Sequence, residues 1–515
     1  MAQDVDKLIV VNRPGMLAKY GAAGAAEVEK AVKRLVAADG RRGLVAVVVD
    51  IADAVEMTKH GGRPIISSKD QPGAKRAVDA LDASISPDYI MLLDGPDVIP
   101  HITLDAIPGL HDGDTTIDSD LPYASPAGYS RVPSRFLAVT RVVGRLPMTQ
   151  GSKDAKAFVA LIDRCATHQP VQQSEFRKYF AASAQVWDIS TRLSLSAVFG
   201  QHDDLQLSPP SGHPGIDTNL GRLAHFINCH GAAGDPQFYG QQGDTYPVAM
   251  HSTKTRPKVK LGAVVAAECC FGAELYDHGM LRTAQPLCMA YLLNGAAAFL
   301  GSTTIAYGPA DSNAQADLIT QYFMDAVLNG ASSGRALLKA RQDLIRKASM
   351  SGATNLKTLV QFVLYGDPSL VLVDVPNEDR APELAIVEQA GGGGKLAGSP
   401  DGRSMRKQRR IEAVSDGKAL AESAAKPGAR LDKNGTALRR VSQLAKQHGF
   451  SVKPEAFEVT GGAKYRAASK ALDRQQRVVV FTERQKSEWS GPAYRVMVAH
   501  LLDDGITAVE ISDSR

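Results

Sequence analysis

The feature that most constrains this fold is a set of short runs that are apolar at every position, not at every second one. Residues 43–50 read Gly-Leu-Val-Ala-Val-Val-Val-Asp, and residues 89–94 and 261–267 have the same character. Strands of this kind are buried on both faces, which is typical of a parallel sheet covered by helices. Helical spacing separates them, for example over residues 74–83 and 283–293. We therefore predict an α/β fold with a largely parallel sheet flanked by helices.

The chain divides into four predicted parts. Residues 1–150 form an N-terminal α/β subdomain, and residues 151–376 form a second one that carries the chemistry described below. Residues 377–434 have low hydrophobicity, a glycine run and a basic cluster at 403–410, which predicts a flexible linker. Apolar runs return in residues 435–515, so we predict a small C-terminal α/β domain there.

Some local predictions concern segments whose pattern is ambiguous between helix and strand. In the C-terminal part, the spacing predicts helices over residues 437–448 and 494–503, with strands near Phe457 and at 478–482. In the N-terminal part, residues 136–143 predict a strand that ends before the following Gly-Arg-Leu-Pro.

Composition excludes some classes of function. A net charge of +4 on 515 residues is too weak to indicate binding to nucleic acid or to a membrane. No basic segment followed by a long apolar run opens the sequence, so no signal peptide is predicted. The cysteines are odd in number and scattered, which argues against a disulfide framework, so we expect a reducing, cytoplasmic location. The five cysteines are Cys165, Cys229, Cys269, Cys270 and Cys288. No cofactor is predicted.

Two predicted strands each run directly into a chemically reactive residue. One segment ends in Asn-Cys-His230-Gly231, and the other continues as Glu268-Cys269-Cys270-Phe-Gly. Because the carboxyl ends of parallel strands meet at one edge of a sheet, the imidazole and a thiol can lie close together. An imidazolium beside a cysteine favours the thiolate, which can attack a peptide carbonyl while the histidine protonates the leaving amine.

These two segments resemble the gingipain-type branch of the caspase-like cysteine peptidases, in which an apolar block leads to His-Gly and a second block leads to the cysteine. Other landmarks of that branch lie within residues 5–375. They are Leu92-Leu-Asp-Gly-Pro-Asp-Val-Ile-Pro100, Ser119-Asp-Leu-Pro-Tyr123, Val143-Gly-Arg-Leu-Pro147 and Leu364-Tyr-Gly-Asp-Pro-Ser-Leu370. CHAT-type peptidases, which are regulated signalling or defence proteases of the same clan, rank second because the N-terminal landmarks favour the gingipain branch.

The resemblance implies a caspase-like fold and an endopeptidase acting on protein or peptide substrates. Cys270 would be the nucleophile and His230 its base, with the backbone N–H groups of Gly231 and Cys270 binding the oxyanion. The Cys-Phe-Gly spacing favours Cys270, and Cys269 stays open as the alternative. An inactive caspase-like scaffold, whose C-terminal domain binds a regulatory partner, is the non-enzymatic alternative.

Substrate specificity rests on a different residue. Arginine-specific members place an acid near the strand that leads into Gly-Arg-Leu, and residues 135–143 contain none. Glu268 precedes Cys270 by two positions and is predicted to share its strand face, where a carboxylate would favour Lys or Arg before the scissile bond. With such a pocket, the basic cluster in the linker would be a site of self-cleavage.

Other interpretations of the same residues are open. Cys229, His230, Cys269 and Cys270 are zinc-ligand types, but adjacent strand residues face opposite sides, so they can hardly converge. Asp235 and Glu268 are candidates to orient His230 as a third member, although the Gly-Asp-Pro context of Asp235 favours a turn. Three further acids were singled out: Asp94 and Asp120 as loop or pocket acids that could neighbour a structural cation, and Asp367 as a turn residue.

Overall fold

The computed structural model describes residues 4–255, 258–376, 400–431, 436–460, 476–487, 489–503 and 505–515, without the side chains of residues 217, 218, 400–405 and 436. Across these ranges, no helix has the length and apolar character needed to cross a membrane.

The strands of the described residues are numbered here in chain order. They are β1 (Lys7–Val11), β2 (Ala46–Asp50), β3 (Tyr89–Leu93), β4 (Ile102–Asp105), β5 (Thr116–Ser119), β6 (Val143–Leu146), β7 (Val171–Gln172), β8 (Tyr179–Ala184), β9 (Leu205–Ser208), β10 (Ala224–Asn228), β11 (His230–Gly231), β12 (Gln237–Tyr239), β13 (Val248–His251), β14 (Val264–Ala267), β15 (Ala298–Ser302), β16 (Tyr307–Gly308), β17 (Phe362–Gly366), β18 (Val373–Asp374), β19 (Lys426–Arg430), β20 (Glu455–Thr460), β21 (Gln476–Arg484), β22 (Tyr494–Leu502) and β23 (Gly505–Ser514).

The α-helices are numbered in the same way. They are α1 (Arg13–Arg41), α2 (Ala54–Lys59), α3 (Gln71–Ile85), α4 (Ala155–Thr167), α5 (Asp188–Phe199), α6 (His278–Leu281), α7 (Leu287–Asn294), α8 (Gln315–Leu328), α9 (Ser333–Lys347), α10 (Ala353–Gln361), α11 (Pro400–Ser423) and α12 (Thr436–Gln447).

A ten-stranded sheet forms the centre of the molecule, in the order β2-β1-β3-β6-β17-β15-β14-β10-β8-β9. Neighbouring strands are parallel except at one place, where β15 pairs antiparallel with β17. The sheet therefore consists of two parallel halves that run in opposite directions. The predicted α/β class, a largely parallel sheet flanked by helices, is confirmed. Both predicted subdomains contribute strands to this one sheet. The boundary at residue 150 stays a prediction.

The strands at the middle of the sheet are apolar at every position because both faces are covered. All of β10 and β14 are buried, and Val264 and Val265 have no exposed surface. β10 and β14 are adjacent and parallel, in a register that pairs Ala224 with Val264 and Ile227 with Ala267. The two segments predicted to carry the chemistry therefore leave the sheet side by side, at the same edge.

The strand predicted over residues 136–143 is wrong. Residues Pro133–Phe136 form a 3₁₀ helix, and the strand of this region is β6, which contains the Gly-Arg-Leu sequence predicted to follow it. Pro133 stands at the start of that helix, where a fixed φ is favourable, and the apolar run beyond it packs without pairing. As a result Arg145 lies within the sheet and is fully buried.

Two further predictions differ from the structure near the C-terminus. Part of the segment predicted as a flexible linker over residues 377–434 is ordered: α11 packs on the N-terminal half, where Arg406 pairs with Asp6 and Asp88. Residues 377–399 and 432–435 of that segment lie outside the described residues. The helix predicted over residues 494–503 is wrong, because this run is β22, with β-branched Val496 and Val498 packed between two neighbouring strands.

A second sheet combines strands from distant parts of the chain, in the order β16-β23-β22-β21-β20-β19. Five of its strands come from residues 426–514, and the sixth, β16, follows β15 of the large sheet in sequence. β16 pairs antiparallel with β23, with Tyr307 opposite Ser514 and Gly308 opposite Asp513. The C-terminal region is thus attached to the edge of the predicted site through its last strand.

Candidate active site

Cys270 lies in a tight turn immediately after β14. Phe271 adopts a left-handed backbone (φ 55°), and its N–H donates to the carbonyl of Thr304 at 3.0 Å. The Cys270 Sγ accepts a hydrogen bond from the N–H of Ala306 at 3.3 Å and lies 3.6 Å from the Ala306 carbonyl. Burial raises the pKa of this thiol to about 12, so in this arrangement it is held as the neutral thiol.

Cys269 faces the other way, as expected for consecutive residues at a strand end. Its Sγ is 4.0 Å from the carbonyl of Ile227 in β10, and its own carbonyl accepts a hydrogen bond from Ser302. Burial raises the pKa of the Cys269 thiol well above its ordinary value. This thiol therefore packs toward β10, whereas that of Cys270 is directed at Ala306.

His230 follows β10 and is enclosed by aromatic rings. Its Nε2 is 2.6 Å from Oε1 of Gln241, and its ring centroid is 4.3 Å from that of Trp187 and 4.8 Å from that of Trp489. Nδ1 has no hydrogen-bond partner among the described residues. Burial lowers the pKa of His230 to about 3, and the nearby Arg515 cation acts in the same direction. The imidazole is therefore neutral in this environment.

The strand ends bring the histidine and cysteine segments into direct contact. A Cβ placed on Gly231 would lie 2.0 Å from the carbonyl oxygen of Cys270, so only glycine permits this approach. No hydrogen bond joins the Cys270 thiol to the imidazole of His230 among the described residues, because Sγ is directed at Ala306. The two predicted residues thus share one edge of the sheet without being paired.

The backbone of Arg515 lies directly over Cys270. The N–H of Cys270 donates to the carbonyl oxygen of Arg515 at 3.1 Å, and the N–H of Arg515 donates to the carbonyl of Ala306 at 3.0 Å. Together with the pairing of β23 and β16, these bonds lay an extended chain along residues 306–308. A backbone N–H of the cysteine that points at a carbonyl oxygen is the arrangement that oxyanion binding requires.

The side chain of Arg515 fills a deep pocket beside this contact. Its Nη2 donates to both carboxylate oxygens of Asp317, at 2.8 and 3.0 Å, and to the carbonyl of Pro309 at 2.9 Å. The guanidinium lies 4.5 Å from the ring centroid of Trp187, within the range of a cation–π contact. A Cβ on Gly308 would lie 2.1 Å from the guanidinium, so this glycine makes room for the side chain.

Asp317 is held in place by the start of α8. Its Oδ2 accepts a hydrogen bond from the N–H of Ala314 at 3.4 Å, so the carboxylate caps the helix and faces the pocket at the same time. Asp317 is not among the residues predicted from sequence. An acid in the first turn of a helix is common at any helix start, so the sequence carries no signal that singles Asp317 out.

Glu268 lies behind Asp317, and not against the guanidinium. Its Oε1 accepts a hydrogen bond from the hydroxyl of Thr320 at 3.0 Å, and Oε2 has no partner among the described residues. Burial, and then the charge of Asp317, raise the pKa of Glu268 well above its ordinary value. Burial also raises the pKa of Asp317, but the Arg515 cation beside it favours its charged form. We infer that the pair holds one proton on Glu268 and the negative charge on Asp317, facing Arg515.

Gln241 is the other site residue that is not predicted from sequence. Its Nε2 donates to the carbonyl of Gly243 and to the hydroxyl of Tyr246, both at 2.9 Å, which fixes Oε1 toward the imidazole of His230. Asp235, considered for this orienting role, instead accepts hydrogen bonds from Tyr239 and the backbone of Gln237 in a turn.

The remaining acids that were singled out are neutralised by protein cations. Asp94 pairs with Lys19 at 2.8 Å, Asp367 accepts from Lys7 at 2.5 Å, and Asp120 binds Arg145. Within the ranges that the structure describes, no three His, Cys, Asp or Glu side chains converge as metal ligands would. The positions of Asp94 and Asp120 therefore have an internal explanation that needs no structural cation.

Comparison with known proteins gives one family match. The model of peptidase family C25 matches residues 230–373, a range that contains His230, Glu268, Cys270 and Asp317. No curated protein matches the chain.

Among solved structures, the chain is similar to one described as "Structure of Protease", at 11% identity and a TM-score of 0.47, over 100% of this chain and 98% of the other. It is also similar to the Saccharomyces cerevisiae separase–securin complex, at 17% identity and a TM-score of 0.29. That alignment covers 46% of this chain and only 14% of the other chain.

Proposed function

Starting from a cysteine peptidase whose residues 230–373 resemble peptidase family C25, we propose an endopeptidase that cleaves after arginine, and more weakly after lysine. The observation that carries this proposal is the seat of Arg515: its carbonyl oxygen lies on the Cys270 N–H while its guanidinium is bound by Asp317. This is the position that the residue before a scissile bond would take.

The proposed reaction uses Cys270 and His230 as nucleophile and base. The substrate groove is the strand edge along residues 306–308 together with the pocket that holds Arg515. With a peptide in this groove, His230 removes the thiol proton and the thiolate attacks the carbonyl carbon of the substrate arginine. The C–N bond then breaks, and the imidazolium gives its proton to the departing amine. Water, activated by the same imidazole, hydrolyses the thioester and releases the new carboxyl terminus and the free thiol.

The carbonyl oxygen becomes negative in the tetrahedral intermediate and needs donors that are already in place. The N–H of Cys270 lies 3.1 Å from the carbonyl oxygen of Arg515, which supports its assignment as one oxyanion donor. The N–H of Gly231 is proposed as the second, because Gly231 lies against the backbone of Cys270. Gln241 acts as a positioning residue that holds the tautomer and orientation of His230.

Specificity is proposed to come from a carboxyl pair. Asp317 binds the guanidinium directly, whereas Glu268, predicted from sequence as the pocket acid, supports it from behind through the shared proton. The carbonyl of Pro309 and the ring of Trp187 add a hydrogen bond and a cation–π contact. A planar guanidinium uses all three, while an ammonium would use fewer, which favours arginine.

Several finer predictions remain proposals. A reducing, cytoplasmic location is supported by five free, buried cysteines. Self-processing in the basic segment would require α11 to unfold, because Arg406 is buried in ion pairs and a peptidase binds extended chain. A regulated CHAT-type role, a partner for the C-terminal domain and a catalytically inactive scaffold are the alternatives.

The experiment is turnover of matched reporter peptides with arginine, lysine, glutamate or leucine before the reporter group. It uses the wild-type chain, Cys270→Ala, Cys269→Ala as the matched control, and Arg515→Ala, which empties the pocket. We expect arginine to be preferred, Cys270→Ala to abolish turnover and Cys269→Ala to retain it. Cleavage of the glutamate reporter but not the arginine reporter, or full activity in Cys270→Ala, would contradict the proposal.

A further inference from the structure

The strand β23 pairs with β16 and leads into Arg515, whose carbonyl oxygen accepts the N–H of Cys270. We propose that β23 and Arg515 are an intramolecular occupant of the substrate groove, holding the peptidase in a closed state until the strand is displaced. This proposal rests on the proposed function and goes beyond it, because it names the segment that occupies the groove and the step that opens it.

The main chain of the occupant is bound as an added strand. Ser514 and Asp513 pair antiparallel with Tyr307 and Gly308, and the Arg515 N–H continues the ladder to Ala306. Addition of an extended peptide to an exposed strand edge is a common way to bind peptides, since backbone hydrogen bonds supply affinity independently of sequence. The same edge would receive a substrate backbone.

Side chains upstream of Arg515 also find partners on the catalytic part. The hydroxyl of Ser512 donates to Oε1 of Gln315 at 3.0 Å. Glu510 Oε2 accepts from Asn355 at 3.0 Å and from Gln315 Nε2 at 3.3 Å. Glu510 and Ser512 are two residues apart, so they share one face of β23. The occupant therefore makes side-chain contacts with the catalytic part at several positions, as a substrate segment would.

The C-terminal sheet also covers the catalytic residues from the other side. Trp489, which lies between β21 and β22, packs on the imidazole of His230 and stacks on Tyr246 at 5.2 Å. With Arg515 over Cys270 and Trp489 over His230, the pair is buried and no peptide can enter. Burial raises the pKa of Cys270 and lowers the pKa of His230, so both groups are neutral in this closed arrangement.

The loop of residues 109–114 contacts both the groove edge and the C-terminal sheet. Asp114 accepts the N–H of Ile305 at 2.9 Å, and Asp112 accepts the hydroxyl of Tyr307 at 2.9 Å. Both acids pair with Lys357, and the preceding Gly109 packs on β21 through its carbonyl, which accepts from Thr482 at 3.2 Å. Movement of the C-terminal sheet would therefore act on the groove edge as well as on its occupant.

The first test removes the anchor of the occupant. In Arg515→Ala we expect the rate of alkylation of Cys270 by iodoacetamide and the rate of turnover of an arginine reporter to rise by on the order of tenfold or more. The reason is that a closed state reduces the fraction of molecules that can react, and the substitution restores it. Arg430→Ala is the matched control, since Arg430 is half-exposed and lies on β19 at the opposite edge of the same sheet. Thermal melting shows whether each variant folds.

A second variant separates the occupant from the pocket. A side chain at position 308 would collide with any arginine in the pocket, whether from β23 or from a substrate. In Gly308→Ala we therefore expect faster alkylation of Cys270 without faster cleavage of the arginine reporter. This pattern differs from that of Arg515→Ala, in which both readouts rise.

A third test returns the occupant as a free peptide. The hexapeptide Glu-Ile-Ser-Asp-Ser-Arg, which is residues 510–515, should inhibit Arg515→Ala competitively with the arginine reporter. The same peptide ending in glutamine is the control and should inhibit at least about tenfold more weakly, because it lacks the charge that Asp317 binds. Absence of inhibition by the arginine peptide would contradict the proposal.

The outcomes distinguish this proposal from the proposed function. Equal alkylation and equal turnover in wild type, Arg515→Ala and Arg430→Ala would overturn the intramolecular occupant and leave the peptidase assignment intact. Faster alkylation in Arg515→Ala with no turnover of any reporter would instead support the occupant and count against the proposed substrate class. If Arg515→Ala has a much lower melting temperature than the wild type, two other measurements test the occupant. They are the rate of Cys270 alkylation in Gly308→Ala and inhibition of the wild type by the peptide at high concentration.

Discussion

Among the residues that the structure describes, Arg145 and Arg515 are the two arginines with no exposed surface, and each lies against an aspartate. The two differ in what surrounds them. Arg145 lies in the large sheet and has every guanidinium nitrogen engaged: Nε and Nη2 donate to Asp120, and Nη1 donates to the carbonyls of Asp94 and Ile99. Arg515 follows the last strand and binds Asp317 through Nη2 alone. Its Nε and Nη1 have no hydrogen-bond partner among the described residues.

The difference teaches how to separate a structural ion pair from a bound ligand. Burying a charge is tolerated when hydrogen bonds satisfy it, and Arg145 meets this condition from within one folded unit. Arg515 meets it only in part and is carried on a strand whose pairing to β16 spans two residues. The first pair belongs to the fold, whereas the second resembles an arginine that has entered a pocket.

The comparison is tested most strongly at Asp120. In Asp120→Asn, Arg145 stays buried without a counter-charge, so we expect a loss of about 3–5 kcal/mol in the free energy of unfolding, measured by urea denaturation at neutral pH. Asp105→Asn is the control, because its pair with Arg131 is about half-exposed, and it should cost below about 0.5 kcal/mol. A loss below 1 kcal/mol in Asp120→Asn would remove the contrast between the two pairs.

The same pair predicts an effect of acid. Burial alone would raise the pKa of Asp120, but Arg145 and His101 hold it well below its ordinary value. Its contribution to stability is therefore present above the unfolded pKa of about 4 and is lost as the pH falls toward the folded pKa. Wild type should lose more stability than Asp120→Asn between about pH 4 and pH 2.

The next largest effect is expected at Asp317, and on specificity more than on folding. In Asp317→Asn, measured in the Arg515→Ala background, we expect kcat/KM for the arginine reporter to fall by on the order of a hundredfold, or about 3 kcal/mol, because a buried guanidinium loses its counter-charge. The leucine reporter should change little. Asp325→Asn, further along α8 and partly exposed, is the control. Equal losses on both reporters would show a general defect instead of a specificity pocket.

A smaller effect is expected from the residue that orients His230. In Gln241→Ala, kcat should fall by on the order of tenfold while KM changes little, because a misoriented imidazole forfeits part of general acid–base catalysis. The exposed neighbour Gln242 supplies the control as Gln242→Ala. An increase in KM at unchanged kcat would assign Gln241 to substrate binding and not to positioning.

The smallest effect is expected at Glu268, although sequence places it closest to the nucleophile. The pKa of Glu268 is raised, so it is protonated beside Asp317, and glutamine preserves its neutral state and shape. Glu268→Gln should change kcat/KM for the arginine reporter by less than about threefold. A loss as large as that of Asp317→Asn would mean that the charge lies on Glu268 and would reverse the assignment within the pair.

The sequence predicted the parts of the site that follow from strand ends, and missed those that follow from distant packing. Apolar runs ending in His-Gly and Cys-Cys-Phe-Gly identified β10 and β14, and their adjacency follows from parallel pairing. Asp317 lies on a helix and Gln241 on a loop, and only the folded chain shows which of their neighbours they face. Residues 494–503 were predicted as helix because a short apolar run has no period that distinguishes helix from strand.

The pairing of β23 with β22 along its length has a consequence for competition. A segment tied beside its own binding site is present at an effective concentration of the order of millimolar or above, whatever the concentration of the protein. A diffusing peptide at micromolar concentration therefore competes poorly against Arg515, even with equal contacts. Substrate alone would not switch such an enzyme on. An agent that loosens the C-terminal sheet would, since it lowers that local concentration for every substrate at once.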